Sequence, residues 1–329
     1  MIYIKTYSTD PAFNLALEQY VFDFMDRNEE YCMLWQNENS VIVGYYQNTR
    51  REINASFVRE QNIKVIRRLS GGGAVFHDLG NLNYTFIGEQ NERNRIDFVK
   101  FCSLIVDVLA EMGVKAEISG RNDITIEGKK VSGNAQYFRK GRVMHHGTLL
   151  FDSDLTILSQ VLNVPKDKIE SKGIKSVASR VANIRSFLKR DMSLKEFWRT
   201  IEMFLAQNGK WEEYELTDED LAVVKKIKLA RYDQWDWNYG KSPDYNVFKE
   251  RRVDGFGKIE VYLKVEKGII TSVSLHGDFF GSSDLQKLCK TLIGHRLEYK
   301  ELRQTLEEEA LEGILYNLGT ADLVNILVE

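Results

Sequence analysis

Apolar and polar positions divide the 329-residue chain into recognisable elements. Residues 2–7 read as a strand. Thr9 and Asp10 offer side-chain caps ahead of Pro11, whose fixed φ suits the first turn of a helix running to about Met25. Cys32 to Trp35 and Val41 to Tyr46 read as a hairpin around the polar turn Asn37-Glu38-Asn39. Lys64 to Arg68 is a short strand entering a glycine-rich loop, Ala74 to Phe76 leaves that loop, and Asn83 to Ile87 continues as strand. Phe98, Phe101, Cys102, Ile105, Leu109 and Met112 recur at helical spacing, which predicts an amphipathic helix over 96–112.

Strands follow around 116–118, 123–126, 130–138 and 143–151. The turns Glu127-Gly128-Lys129 and Arg139-Lys140-Gly141 make them meandering hairpins. Helices are expected near 154–162 and 193–206. Strands ahead of and between helices, joined by tight turns, indicate an α+β fold with a mixed or antiparallel sheet. Turn composition at Gly240 to Pro243 suggests a boundary, dividing the chain into a large domain over 1–244 and a small α+β domain over 245–329. The second carries strands near 247–253, 258–266 and 269–275, then helices bearing Leu285, Leu288, Cys289, Leu292 and Ile293. The length favours the same division, one large unit and one small.

Composition narrows the function classes. Apolar residues make up 43% and charged residues 28%, ordinary for a globular protein, and the net charge of −3 comes without a basic run, so nucleic acid is not an expected partner. Neither a signal peptide nor a membrane-spanning apolar stretch is visible. Cys32, Cys102 and Cys289 are odd in number and widely spaced, which points to a reducing cytoplasm rather than a disulfide framework. No Walker loop, dinucleotide fingerprint, nucleophile elbow or paired zinc-ligand spacing occurs, so no structural metal is expected.

Four stretches carry candidate chemistry. Arg67-Arg68-Leu69-Ser70-Gly71-Gly72-Gly73 sets two permanent cations beside a backbone able to approach a ligand closely. Asp123 and Lys130 sit on opposite arms of a short hairpin and can converge, a pairing suited to Mg²⁺ and phosphate. In His145-His146-Gly147-Thr148, strand alternation lets only one histidine face a cleft. Lys172 to Val181 mixes cations, hydroxyls and small residues, as a loop ordering over an anion would. Each has a plainer alternative: a hairpin turn, a surface ion pair, a structural histidine, a solvated connector.

Taken together and in order, RRLSGGGAVFHDLGN, GRND, KVSGNAQ, HHGTLL and KGIKSVASRV closely resemble the blocks of the lipoate–protein ligase A family, as do DPAFNLALEQ and WQNENSVIVGYYQN nearer the start. WDWNYGKSP at 235–243 is the last clear block, and the resemblance continues more weakly through the small domain. It implies the fold shared with biotin–protein ligases and class II synthetases, and ATP-dependent activation of lipoate followed by transfer to a lysine of a lipoyl carrier domain. Such carriers are the acyltransferase subunits of 2-oxoacid dehydrogenases and the glycine-cleavage H protein.

By that match Lys130 contacts the lipoyl carbonyl and the α-phosphate. Arg68, Ser70 and the backbone of Gly71, Gly72 and Gly73 line the lipoyl tunnel, with His77 and His146 beside them. Asn122, Asp123, Ser132 and His146 surround the adenylate, together with Gly73, Val75, Phe76, Ala135 and Thr148. Lys175, Ser176, Val177 and Arg180 close over the nucleotide, and Asp123 holds Mg²⁺. Leu69 departs from the family pattern, where glycine is also common.

Three other readings compete. An octanoyl- or lipoyl-transferase working through a thioester needs a reactive cysteine in the pocket, yet all three cysteines fall on apolar positions. Biotin–protein ligase is the sibling enzyme, with a different glycine/arginine loop. A non-catalytic lipoate-binding protein would bind the acid without releasing pyrophosphate.

Overall fold

A computed structural model describes residues 1–90, 97–120, 122–163, 180–207, 211–240, 246–307 and 311–328. The chain runs β1 (Ile2–Ile4), α1 (Pro11–Phe24), β2 (Tyr31–Trp35), β3 (Ser40–Val43), α2 (Thr49–Glu52), α3 (Ala55–Glu60), β4 (Lys64–Arg67), β5 (Val75–His77), β6 (Asn81–Glu89) and α4 (Phe98–Glu111). It continues with β7 (Glu117–Ser119), β8 (Asp123–Ile126), β9 (Lys129–Arg139), β10 (Arg142–Leu150) and α5 (Leu155–Val161). Helices over Leu194–Gln207 and Asp218–Ile227 flank β11 (Glu212–Tyr214). β12 (Val247–Val253), β13 (Gly257–Glu266) and β14 (Ile269–Gly277) precede helices over Leu285–Thr291, Tyr299–Glu307 and Thr320–Val328.

Eight strands form the main sheet in the order β11-β1-β2-β6-β10-β9-β8-β7. β1 pairs in parallel with both neighbours and the rest of the sheet is antiparallel, so it is mixed. Asp10 caps α1 by accepting from the Ala12 N–H, with Pro11 in the first turn, and the helix packs between this sheet and a three-stranded sheet ordered β4-β3-β5. α4 covers the opposite face, its apolar stripe of Phe98, Phe101, Cys102, Ile105 and Leu109 buried against the strands. Among the described residues no helix is long and apolar enough to cross a membrane.

The expected hairpin of residues 32–46 does not form. β2 belongs to the main sheet while β3 pairs with β4 and β5. The intervening turn is held instead by α1 and the residues just ahead of it, because Glu38 N donates to the Thr9 carbonyl and Asn14 to the Gln36 carbonyl, which leads the chain out of the first sheet. The meander of β7 to β10 forms as the turn signals predict.

The last three strands form their own antiparallel sheet, with a separate core of Ile259, Val261, Leu263, Ile270, Leu288, Leu302 and Leu323. This unit sits against the part of the chain that precedes it. Phe279 stacks on Tyr46, Phe280 packs on Phe98, and Gly72 N donates to the Phe279 carbonyl. Beside these apolar contacts lies a buried polar cluster. Lys258 is 2.5 Å from Glu260 and 4.0 Å from Glu52 of α2, while Tyr262 donates to Glu260.

Candidate active site

Strand register lays a floor for the site. Trp35 faces Asn83, Asn83 faces Thr148, and Gly133 faces Asp123, with Thr148 Oγ1 accepting from the Gly133 N–H. A second row sets Thr85 beside His146 and His146 beside Ala135. Directly opposed residues project from the same face of a sheet, so these rows share one side. Against it lies a cavity of about 670 Å³. Leu15, Trp35 and Ile42, all almost fully buried, wall one end, and Asn122, Asp123 and Lys130 wall the other.

At the outer end Lys130 Nζ lies 2.8 Å from Asp123 Oδ1, both side chains about 35% exposed. The Lys130 backbone is fixed on two sides, its N–H donating to the Arg180 carbonyl and its carbonyl accepting from Ala182. Gly133 makes room for the ammonium, since a Cβ there would lie 2.7 Å from Nζ. Among the described residues no group of three His, Cys, Asp or Glu side chains is placed to hold a metal ion. Mg²⁺ nonetheless commonly binds through one carboxylate plus substrate phosphates and water, a donor set that Asp123 fits.

The inner end is tied together by hydrogen bonds. Arg68 is buried and its guanidinium is committed to the loop, donating to Ser70 Oγ and to the carbonyls of Ile42, Gly71 and Gly73. Burial lowers its pKa to about 10, still cationic at neutral pH. Ser70 Oγ is 2.6 Å from His146 Nε2, and His146 Nδ1 is 2.9 Å from Glu18 of α1. Glu18 also accepts from Thr85, which accepts from the Trp35 indole. Arg67 takes no part in the cavity. It lies fully buried, donating to the carbonyls of Gly44, Tyr45, Gln47 and Trp237.

The remaining expected residues divide as follows. Gly73, Val75, His77, Ala135, His146 and Thr148 line the cavity. Phe76 turns its ring into the core with Val41, Val43 and Val65. Ser132 is buried and accepts from Asn134. His145 is buried on the α4 side, sandwiched by Phe101 and Tyr84 and held well below the ordinary imidazole pKa, so His146 is the histidine that faces the cavity. Lys175, Ser176 and Val177 lie outside the described residues.

The close approach that Gly71 permits is to protein, because its Cβ would sit 2.4 Å from the Phe279 carbonyl oxygen; Gly72 adopts φ +86°. Cys32 and Cys102 are buried and Cys289 is half-buried, and none of the three lines this cavity. Burial pushes all three thiols up, Cys102 to about 12 and Cys289 to about 11, away from nucleophilic thiolate.

Several residues of the site escaped the sequence reading, among them the lining residues Leu15, Trp35, Ile42 and Asn83. Glu18 is a carboxylate inside a run of buried positions on α1, and that misfit was its available signal. Arg252, Val253, Asp254, Gly255, Gly257 and Asp278 reach the cavity from the C-terminal sheet, and no local pattern marks them.

The profile of the lipoyl protein ligase A/B catalytic domain matches residues 10–206, and that of the bacterial lipoate protein ligase C-terminus matches 242–327. The lipoate-protein ligase LplJ of Bacillus subtilis is 42% identical over 97% of each chain, and lipoate–protein ligase 1 of Staphylococcus aureus is 40% identical over the same shares. Among solved structures, LipL1 of P. falciparum in complex with lipoate superposes with a TM-score of 0.77 at 25% identity, over 94% of each chain. An archaeal bipartite lipoate protein ligase, described with its E2 lipoyl domain, from Thermoplasma acidophilum gives 0.65 at 27% identity, over 75% of this chain and 98% of that one.

Proposed function

The chain belongs to the lipoyl protein ligase A/B family, and we propose a division of labour within the cavity described above. The enzyme activates lipoate with ATP as lipoyl-adenylate, releasing pyrophosphate, and transfers the lipoyl group to a lysine of a carrier domain. One observation supports the assignment of roles: the cavity passes from a buried end walled by Leu15, Trp35 and Ile42 to a half-exposed end holding Lys130 and Asp123. An apolar acyl chain suits the first and phosphates suit the second.

In the first half-reaction a lipoate carboxylate oxygen attacks the α-phosphorus and the bond to pyrophosphate breaks. Both reactants are anionic, so a fixed cation at the junction lowers the barrier, and we assign that task to Lys130. In the second, the neutral carrier amine attacks the carbonyl and AMP leaves, while the same ammonium stabilises the developing oxyanion. Arg68 contributes by fixing the Ser70–Gly73 loop through its carbonyls. Mg²⁺ would be held by Asp123 and by oxygens of the nucleotide, supplying charge neutralisation to the phosphates. The acceptors are lipoyl domains of 2-oxoacid dehydrogenases or the glycine-cleavage H protein, and the setting is the cytoplasm, where free thiols persist.

ATP–pyrophosphate exchange with lipoate, octanoate and biotin offered separately tests this reading. Exchange that depends on lipoate supports it. Lipoate binding without exchange would reduce the chain to a binding protein, and transfer without ATP would replace adenylation by acyl exchange.

A further inference from the structure

The inner wall carries more polar groups than an acyl chain needs, and nearly all satisfy one another through the chain Arg68, Ser70, His146, Glu18, Thr85 and Trp35. Two lining residues stand outside that chain. The first is His77. Asn14 Nδ2 donates to the backbone carbonyls of Ser8 and Gln36, which fixes its orientation, and it also reaches Asn37 Oδ1. Asn37 Nδ2 therefore donates to His77 Nδ1. Burial holds this imidazole neutral, its pKa pushed down to about 3, so its one N–H is at Nε2. That nitrogen is buried and has no hydrogen-bond partner among the described residues.

The second is Asn83, whose Oδ1 accepts from Asn81 while its Nδ2 likewise has no partner among the described residues. Both residues adjoin the same indole. Asn83 is the cross-strand partner of Trp35, and the His77 ring meets the Trp35 ring edge-on at 6.2 Å. Two unmatched donors thus flank the indole in an end of the cavity otherwise walled by Leu15 and Ile42. Buried donors are ordinarily matched, and an unmatched pair in a cavity calls for an acceptor on the ligand.

We infer that His77 and Asn83 are specificity determinants that read an acceptor in the acyl tail, and that this acceptor is the sulfur of the lipoate dithiolane ring. A saturated chain of equal length supplies none. Divalent sulfur accepts weakly, so the discrimination is modest rather than absolute. The inference rests on the reading above that the buried end takes the acyl tail.

The test is calorimetric binding, without ATP, of lipoate, octanoate and 5-cyclopentylpentanoate to the full chain and to Asn83→Leu. The cyclopentyl acid has the shape of lipoate with carbon in place of sulfur and is the more apolar of the two, so shape and hydrophobicity alone do not favour lipoate. Wild type is expected to prefer lipoate over this isostere by about fivefold, and Asn83→Leu to narrow the gap to within about twofold by gaining affinity for the isostere. Equal affinities in wild type, a comparison that needs no variant, overturn the inference, as does an unchanged preference in a folded Asn83→Leu. Pyrophosphate release measured alongside separates the two readings. A binding preference without release leaves the donors assigned and removes the ligase, whereas failure of all three acids to bind removes the donor assignment.

Discussion

The two ends of the cavity are built on opposite rules. At the buried end the ionisable groups are locked into hydrogen bonds with other protein groups: Glu18 holds His146 and Thr85, and Arg68 holds its own loop. At the open end Lys130 and Asp123 share a single ion pair, each side chain about one-third exposed. A buried charge is tolerated only when paired and hydrogen-bonded. The inner charges are therefore architectural, while a half-exposed pair can be opened by a more highly charged ligand such as a triphosphate. Position along the cavity predicts which substitutions damage chemistry and which damage stability.

Lys130→Ala is the largest expected effect on rate. Loss of one preorganised cation removes about 3–4 kcal/mol of transition-state stabilisation, so pyrophosphate exchange should fall roughly a hundred- to a thousandfold with the melting temperature little changed. Lys130→Arg should not restore it, since a planar guanidinium does not replace a point charge in a confined site.

Glu18→Leu inverts that pattern. It strands the His146 and Thr85 donors in the interior, at about 1–3 kcal/mol each. Thermal unfolding should shift strongly downward, and the lipoate KM should rise more than kcat falls. A Glu18→Leu enzyme of normal stability would break the contrast.

Gly71→Ala probes the joint between the two sheets. Its methyl group would collide with the Phe279 carbonyl oxygen, displacing the C-terminal unit that brings Arg252 and Asp278 to the cavity. Adenylation should slow by about tenfold while transfer from preformed lipoyl-adenylate is affected less, the scale of a misplaced positioning group. Equal losses in both half-reactions would mean that this sheet does not serve ATP in particular.

Stability against pH refines the inner rule. His145 and His77 are buried with lowered pKa values, so below about pH 6.5 the unfolded chain takes up protons that the folded chain does not. Their stabilisation is complete above that pH and is lost as pH falls, by at most about 1.4 kcal/mol per pH unit for each histidine. Denaturant midpoints from pH 7 to pH 5 should fall less steeply in His145→Gln than in wild type. The smallest effect belongs to the cysteines: the triple variant Cys32→Ala, Cys102→Ala, Cys289→Ala should transfer lipoyl groups within about twofold of wild type if folded, since buried thiols are inert.

Much of this was legible in the sequence, and the gaps have physical causes. The β7–β10 meander, α1 and α4 follow from local signals (turn residues, caps and helical spacing), so the strand pair bearing Asp123 and Lys130 was visible in advance. The β2–β3 hairpin failed because tertiary hydrogen bonds from α1 outweigh a polar turn without strong hairpin residues. Arg67 and Arg68 read alike as cations beside a ligand-binding loop, yet Arg68 lines the cavity while Arg67 is buried away from it on backbone carbonyls, a distinction between neighbours that only packing makes. Gly71 reads as room for a ligand, whereas the space holds Phe279 from more than two hundred residues away. Arg252 and Asp278 reach the cavity only through that docking, so no local pattern could reveal them.

The central claim, that one ammonium at the open end serves both half-reactions, is tested most directly by single-turnover transfer from preformed lipoyl-adenylate to an apo carrier domain. Supplying the adenylate bypasses ATP, so only the role of Lys130 at the acyl carbonyl is read. The account predicts that Lys130→Ala transfers roughly a hundredfold or more slowly than wild type, while Lys129→Ala, an exposed neighbour on β9, stays close to it. Near-normal transfer by Lys130→Ala would confine that lysine to ATP and contradict the shared role.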